Sequence, residues 1–225
     1  MLLRQNSQLA TMLKSPGQKN TATYTGSGKA EKGRDLLSSE RRMTNDERQS
    51  KTSTMLSEKM QKALNDQINA EIWSAYLYLS MSAYFESENL PGFANWMKIQ
   101  WQEELSHSIK FFDYVNERGG RVTLQPIAAV DTEWKNPLEV FEATLKHEQH
   151  VSSLINELVN TAMEERDHAT NNILQWFIAE QVEEEASVDG LVQQLKLIDG
   201  FGHGILMLDR ELGQRVFVDP SLGDA

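Results

Sequence analysis

Four glutamates lie where four predicted helices of this chain should be apolar. In steps of seven residues, each of four segments repeats one order: a large hydrophobic residue, a glutamate, and another large hydrophobic residue. The four series are Leu64, Glu71 and Tyr78; Met97, Glu104 and Phe111; Phe141, Glu148 and Ile155; and Phe177, Glu184 and Leu191. Residues seven apart stay on one helix face with only slight drift. Each predicted helix therefore carries a glutamate inside its own buried stripe.

Burying these carboxylates together requires a compensating charge. Two like charges about 4 Å apart repel by roughly 4 kcal/mol at an effective dielectric constant of about 20. The chain has no cysteine, so a metal site would have to use carboxylate and imidazole ligands, which suit iron, manganese or other hard to borderline cations. Two divalent cations would neutralise the four glutamates.

Charge divides the chain into a basic N-terminal segment and an acidic remainder. Residues 1–54 contain ten Lys or Arg and five Asp or Glu, so the net charge of −11 for the whole chain leaves −16 for residues 55–225. The polar composition of residues 1–54 predicts a disordered extension. We consider three interpretations of it: a segment foreign to the native protein, an organelle-targeting peptide, and a basic arm for DNA or anionic surfaces.

Apolar periodicity predicts an all-α domain over residues 55–225. The expected helices cover about 57–87, 92–117, 137–166 and 169–199, with a short fifth helix at about 205–213. Residues 119–136 lack the pattern and are long enough to cross back along a helix. Asn136, Pro137 and Glu139 are typical of a capped helix start with a capping-box-like arrangement. No apolar run approaches the roughly 18 residues of a membrane-spanning helix.

Glu104 and His107 are spaced to share one face of the second helix. The Glu-x-x-His pattern alone is common, and an exposed ion-paired helix face would also produce it. Here, however, Glu104 also belongs to one of the four buried series, and three other helices repeat the arrangement. The pattern therefore predicts a carboxylate-rich site for two metal ions in the centre of a bundle.

Several longer motifs surround these residues. They are Asn69-Ala70-Glu71, Gln102-Glu103-Glu104-Leu105-Ser106-His107, Lys146-His147-Glu148-Gln149, and Leu174-Gln175-Trp176-Phe177 followed by Glu180-Gln181-Val182-Glu183-Glu184. With these motifs, residues 55–213 resemble a bacterial non-haem ferritin. The resemblance implies a ferritin-like four-helix bundle with a long crossover between the second and third helices and a short C-terminal fifth helix.

The resemblance also implies two irons within each subunit. Glu71, Glu104 and His107 would hold the first iron, and Glu104 would bridge to the second. Glu148 and Glu184 would complete the second position.

Five further residues take roles from the same resemblance. Gln181 would steady bound water or oxygen species, and Tyr78 would stand beside the centre as an electron donor. A third iron site, just inside the cavity, would use Glu103, Glu180 and Glu183.

This sequence departs from related protein families at several positions, and these differences narrow the cofactors and activities that the resemblance implies. Leu105 stands where bacterioferritin carries its haem-binding methionine, so haem is not expected. The second Glu-x-x-His of many di-iron oxidases is absent. Trp176 is expected to be a core residue, with a redox role as the alternative. His147 and His150 are expected to be surface or capping residues.

The function implied is iron storage and detoxification. Fe(II) would be oxidised by O2 or H2O2 and stored as a ferric mineral inside a shell of twenty-four subunits in the cytoplasm, with no membrane or nucleic acid as partner. Three alternatives remain. They are a DNA-protecting mini-ferritin of twelve subunits, which only the basic extension supports, a di-iron oxidase acting on an organic substrate, and a bundle that binds no metal.

Overall fold

The computed structural model describes residues 55–218, which form five helices and no strand. The helices are α1 (Glu58–Ser87), α2 (Pro91–Glu117), α3 (Pro137–Glu165), α4 (His168–Ile198) and α5 (Gly202–Leu212). The four long helices confirm the predicted ranges to within a residue or so. The predicted N-terminal extension, residues 1–54, lies outside the described residues, and so do residues 219–225.

The fifth helix begins earlier than predicted, at Gly202 rather than at residue 205. At Gly204 a side chain would be crowded, because an added Cβ would lie 2.9 Å from Cγ2 of Ile198. This glycine therefore lets α5 turn back closely against the end of α4.

Local capping explains two of the helix starts. Ser57 accepts a hydrogen bond from the Met60 backbone N–H at 2.9 Å, and Asn136 accepts one from the Glu139 N–H at 2.9 Å. The Glu139 carboxylate accepts from the backbone N–H of Lys135 at 2.5 Å. The capping-box-like arrangement predicted at α3 is therefore displaced by one residue, because the carboxylate reaches past the cap itself.

Helices α1 and α2 form one closely packed pair, and α3 and α4 form the other, with α1 also packed on α3. Among these helices, α2 and α4 lie further apart, and no pair of their Cα atoms comes within 8 Å. Aromatic side chains bridge this wider gap. Phe111 stacks on Phe177 with 3.9 Å between ring centroids, and the His107 ring lies 5.5 Å from that of Trp176.

The core has two apolar clusters with a polar layer between them. One contains Tyr78, Met97, Phe141 and Leu191, and the other contains Leu64, Phe111, Ile155 and Phe177. Each of the four sequence series therefore runs from one cluster to the other, with its glutamate in the layer between. All twelve members of the series are buried, as the periodicity predicts.

The crossover between α2 and α3 is extended and attached to α1. Asn65 on α1 donates to the Arg121 carbonyl at 3.1 Å and accepts from the Thr123 N–H at 2.6 Å. Further along, Ser80 donates to the Asp131 carbonyl at 2.8 Å. Within residues 55–218, no helix is both long enough and apolar enough to cross a membrane.

The start of α2 is capped from a distant part of the chain. Leu90 supplies no side-chain cap. Instead, the carboxylate of Asp209 on α5 accepts from the backbone N–H groups of Gly92 at 2.7 Å and Phe93 at 3.1 Å. Residue 92 has to be glycine, because an added Cβ would lie 1.6 Å from the Asp209 carbonyl oxygen. This contact fixes α5, and the residues after it, against α2.

Candidate metal centre

Residues from all four long helices meet in the polar layer. Glu71 comes from α1, Glu104 and His107 from α2, Glu148 from α3 and Glu184 from α4. None is more than 8% exposed. Because each glutamate lies midway along its series, packing the two apolar clusters forces the four carboxylates to the same level of the bundle.

Glu71, Glu104 and His107 form a compact group. One ligand atom from each residue lies within 4.8 Å of the others. Glu71 Oε2, Glu104 Oε2 and His107 Nε2 are buried without a hydrogen-bond partner. Such atoms are rare in native proteins, and each costs about 1–3 kcal/mol if left unsatisfied. Two carboxylate oxygens and one imidazole nitrogen suit iron, so the donor set fits a bound ion.

Glu148 and Glu184 lie outside that compact group and are held by side chains of the protein. Glu148 accepts from the Tyr78 hydroxyl and from Gln181 Nε2, the latter at 3.2 Å. Glu184 accepts from Gln100 Nε2 at 2.7 Å. These amide and hydroxyl donors partly compensate the two carboxylates in the metal-free protein.

Burial dominates the electrostatics of the centre. It raises the pKa of Glu148 to about 7 and that of Glu184 to about 8, the latter with help from the nearby charge of Glu148. It raises the pKa of Glu71 and lifts that of Glu104 well above its usual range. Burial also lowers the pKa of His107 to about 4, so the imidazole is neutral and free to act as a ligand at neutral pH.

Sequence reasoning missed two supporting glutamines. Gln67 donates to Glu71 Oε1 at 2.8 Å, and Gln100, which is fully buried, donates to Glu184 across the bundle. A signal for both exists in the sequence. Gln67 and Gln100 each precede a glutamate of the series by four residues, and so share its helix face. Buried amides at those positions hold the two carboxylates in place.

Tyr78 and His147 pack together beside the centre. Tyr78 is fully buried, and burial followed by the charge of Glu148 raises its pKa well above the usual range. His147, expected to be a surface or capping residue, is half-buried. Its Nε2 lies 2.8 Å from Ser74 Oγ, and its ring centroid lies 5.9 Å from that of Tyr78. Burial lowers the pKa of His147 to about 4. His150 is exposed, as expected.

Trp176 covers the outer side of His107 edge-on and is half-buried. The ammonium group of Lys110 lies 3.6 Å from the centroid of its ring. A cation over an indole face is attractive and disfavours loss of an electron from that ring. This contact favours the packing role over the redox role for Trp176.

The three residues assigned to a third iron site differ in environment. Glu183 is exposed, whereas Glu103 and Glu180 are half-buried. Burial raises the pKa of Glu103 to about 7, although the guanidinium of Arg215 opposes that shift. Nη2 of Arg215 lies 2.7 Å from Glu103 Oε2. Sequence reasoning missed Arg215, because it follows α5 and lies 112 residues from Glu103.

Comparison with known proteins identifies the family of this chain. Residues 61–198 match the family model described as ferritin-like domain. A bacterial non-heme ferritin of Bacteroides fragilis is 50% identical over 161 residues, which cover 72% of this chain and all of that protein. A probable bacterial non-heme ferritin-like protein of Haemophilus influenzae is 40% identical over 159 residues, 71% of this chain and 96% of its own length.

Solved structures agree as well. An engineered closed form of Archaeoglobus fulgidus ferritin is 56% identical, with a TM-score of 0.72 over 72% of this chain and 99% of that one. The open-pore ferritin of the same archaeon is 55% identical, also with a TM-score of 0.72, over 73% of this chain and 99% of that one. Family model, relatives and fold coincide on the part of the chain that builds the polar layer, and the chain therefore belongs to the ferritin family.

Proposed function

We propose that this chain is a ferroxidase and iron-storage subunit. The observation that carries the proposal is the group of three buried, unpartnered ligand atoms on Glu71, Glu104 and His107. Relatives named bacterial non-heme ferritin, which match this chain over their whole length, support iron as the ion.

Iron binding follows from the two halves of the centre. The first Fe(II) binds to Glu71, Glu104 and His107, whose atoms already converge. Glu104 bridges to a second Fe(II), which Glu148 and Glu184 bind through carboxylate lone pairs that their hydrogen bonds leave free. A bridging carboxylate brings two metals to about 3.5–4 Å. Each iron then gives one electron, so that a pair of irons reduces O2 with two protons to H2O2, or H2O2 with two protons to two waters. The carboxylates favour the harder Fe(III) product.

Tyr78 and Gln181 assist this step through their hydrogen bonds to Glu148 on α3. The Tyr78 hydroxyl donates to Glu148, and this contact supports a role for the phenol as an electron donor beside the proposed second iron. Gln181 Nε2 lies 3.2 Å from Glu148 Oε2, and the same amide can hold water or an oxygen species at the centre.

Storage requires an assembly, which we propose is a shell of twenty-four subunits in the cytoplasm. Large apolar side chains on the outside of the bundle support assembly. Ile109 is 55% exposed, Met163 65% and Val182 68%. Oxidised iron would move past Glu103, Glu180 and Glu183, as a third site, into the shell and mineralise there.

The alternative is a DNA-protecting mini-ferritin of twelve subunits. In that family the metal site lies between subunits, whereas here one chain supplies residues from four helices to one polar layer. Light scattering separates the two functions, because a shell of twenty-four has about twice the mass of a shell of twelve.

Stopped-flow absorbance of Fe(II) mixed with O2 tests the proposed function. Glu104→Ala and His107→Ala should each slow the initial oxidation by at least about a hundredfold, since both remove a direct ligand. Glu157→Ala removes an exposed carboxylate from α3 and is the matched control. If either centre variant oxidised iron at the rate of the unaltered protein, this assignment would be wrong.

A further inference from the structure

A cation belonging to the chain itself lies beside the metal centre. Arg215 forms an ion pair with Glu103 in which the side chains are only 28% and 15% exposed. Its Nη1 donates to Gln100 Oε1, and its guanidinium carbon lies 4.7 Å from the centroid of the Trp96 ring. Ion pair, hydrogen bond and ring contact all come from one face of α2.

The main chain holds Arg215 in this position as well. The side-chain amide of Asn95 donates to the Arg215 carbonyl at 3.0 Å and to the Leu212 carbonyl at 3.3 Å. Asp209, one turn before Leu212 on α5, caps the start of α2. The guanidinium is therefore placed by a docked segment and not by a free surface side chain.

Arg215 also acts on Glu184, one of the residues proposed to hold the second iron, through Gln100. An arginine side chain can only donate hydrogen bonds, so it requires the carbonyl oxygen of the Gln100 amide to face it. The amide nitrogen of Gln100 then has to face the other way, where it donates to Glu184 Oε2 at 2.7 Å. Arg215 thereby sets the orientation of a buried amide that holds a ligand carboxylate.

We propose that Arg215 is a resident cation that blocks the third iron site, so that an ion can bind Glu103 only after the guanidinium withdraws. The inference rests on the proposed function, because it assumes that iron leaves the centre past Glu103. A guanidinium does not lose its proton in proteins, so the Arg215 side chain or the segment after α5 has to move to free the carboxylate. A divalent ion beside an undisplaced Arg215 would be repelled.

Calorimetric titration with Zn2+, which is redox-inert, tests this on the full assembled protein at neutral pH. The unaltered protein should bind two ions per subunit tightly and a third weakly. Arg215→Gln should strengthen binding of the third ion by at least about tenfold, within the usual range for coupled sites. Arg210→Gln removes the same charge from an exposed position on α5 and should behave like the unaltered protein.

Two further variants show whether the charge is the cause. Arg215→Met keeps an apolar stem to pack on Trp96 and should gain the third ion, whereas Arg215→Lys keeps a charge and should not. Light scattering shows whether Arg215→Gln still assembles. If it does not, Arg215→Met and Arg215→Lys provide the test. Adding Glu103→Gln to Arg215→Gln should abolish the gained ion.

The outcomes separate the two proposals. If the unaltered protein binds no Zn2+ that Glu104→Ala removes, the proposed function fails. If those two ions bind but Arg215→Gln and Arg215→Met leave the third unchanged, only the blocking role of Arg215 fails. The blocking role fails equally if Arg215→Lys or Arg210→Gln gains the third ion, or if the gained ion persists without the Glu103 carboxylate.

Discussion

Replacing Glu184 with glutamine is expected to stabilise the metal-free protein at neutral pH. Burial, with the charge of Glu148, raises the pKa of Glu184 from 4.5 to about 8. The side chain is only 8% exposed, so solvent screens it little. Glutamine resembles the protonated acid and can still accept the hydrogen bond that Gln100 donates at 2.7 Å. The substitution therefore removes the cost of ionisation and keeps the contact.

The magnitude follows from linkage between protonation and folding. A carboxyl whose pKa is raised in the folded state binds its proton more tightly there. The contribution of Glu184 to the free energy of unfolding is therefore fully present below the ordinary pKa of 4.5 and is lost as the pH rises towards about 8. At about pH 7 the loss is roughly 3 kcal/mol per subunit, at about 1.4 kcal/mol for each pH unit above the ordinary value. Glu184→Gln should recover it, raising Tm by roughly 6–12 °C.

Differential scanning calorimetry with a chelator present measures this difference. The gap in Tm between Glu184→Gln and the unaltered protein should be near zero at about pH 4.5 and widen steadily to about pH 8. Glu157→Gln, at an exposed position on α3, should show no such widening. With Zn2+ the order should invert, because the variant lacks a ligand. A gap that stays constant with pH, or favours the unaltered protein without metal, refutes the reasoning.

Three further predictions follow from the same contacts. Zn2+ binding at about pH 7 should release at least about one proton per subunit in a pH-stat, because burial raises the pKa of Glu148 to about 7, that of Glu184 to about 8 and that of Glu104 well above its usual range; no release would contradict it. Tyr78→Phe should abolish any tyrosyl radical signal in electron paramagnetic resonance after iron oxidation but retain Zn2+ binding, so a persistent signal would point to another donor. Asp209→Ala should lower the free energy of unfolding by about 1–2 kcal/mol through loss of the α2 cap, whereas the exposed Glu211→Ala should be neutral in the same thermal melts.

Most of the fold could be predicted because its determinants are local. Helix periodicity, Asn136 and Pro137 at one helix start, and the unpatterned residues 119–136 specify four long helices and a crossover. The start of the fifth helix was predicted three residues too late, at about residue 205 instead of Gly202. Gly204 lies within this helix and allows α5 to approach Ile198 closely, a tertiary contact that local sequence patterns do not report.

The candidate site divides in the same way. The sequence by itself determined that four glutamates share buried stripes, since a spacing of seven residues sets the helix face. Only the tertiary structure decided which atoms are left without partners: Oε2 of Glu71 and Glu104 and Nε2 of His107 are orphaned, whereas Glu148 and Glu184 are not. Tertiary structure also decided that Arg215 pairs with Glu103 and that Asp209 caps the start of α2. The physical reason is sequence distance: these contacts join residues 33 to 117 positions apart, and no local periodicity reports on such pairs.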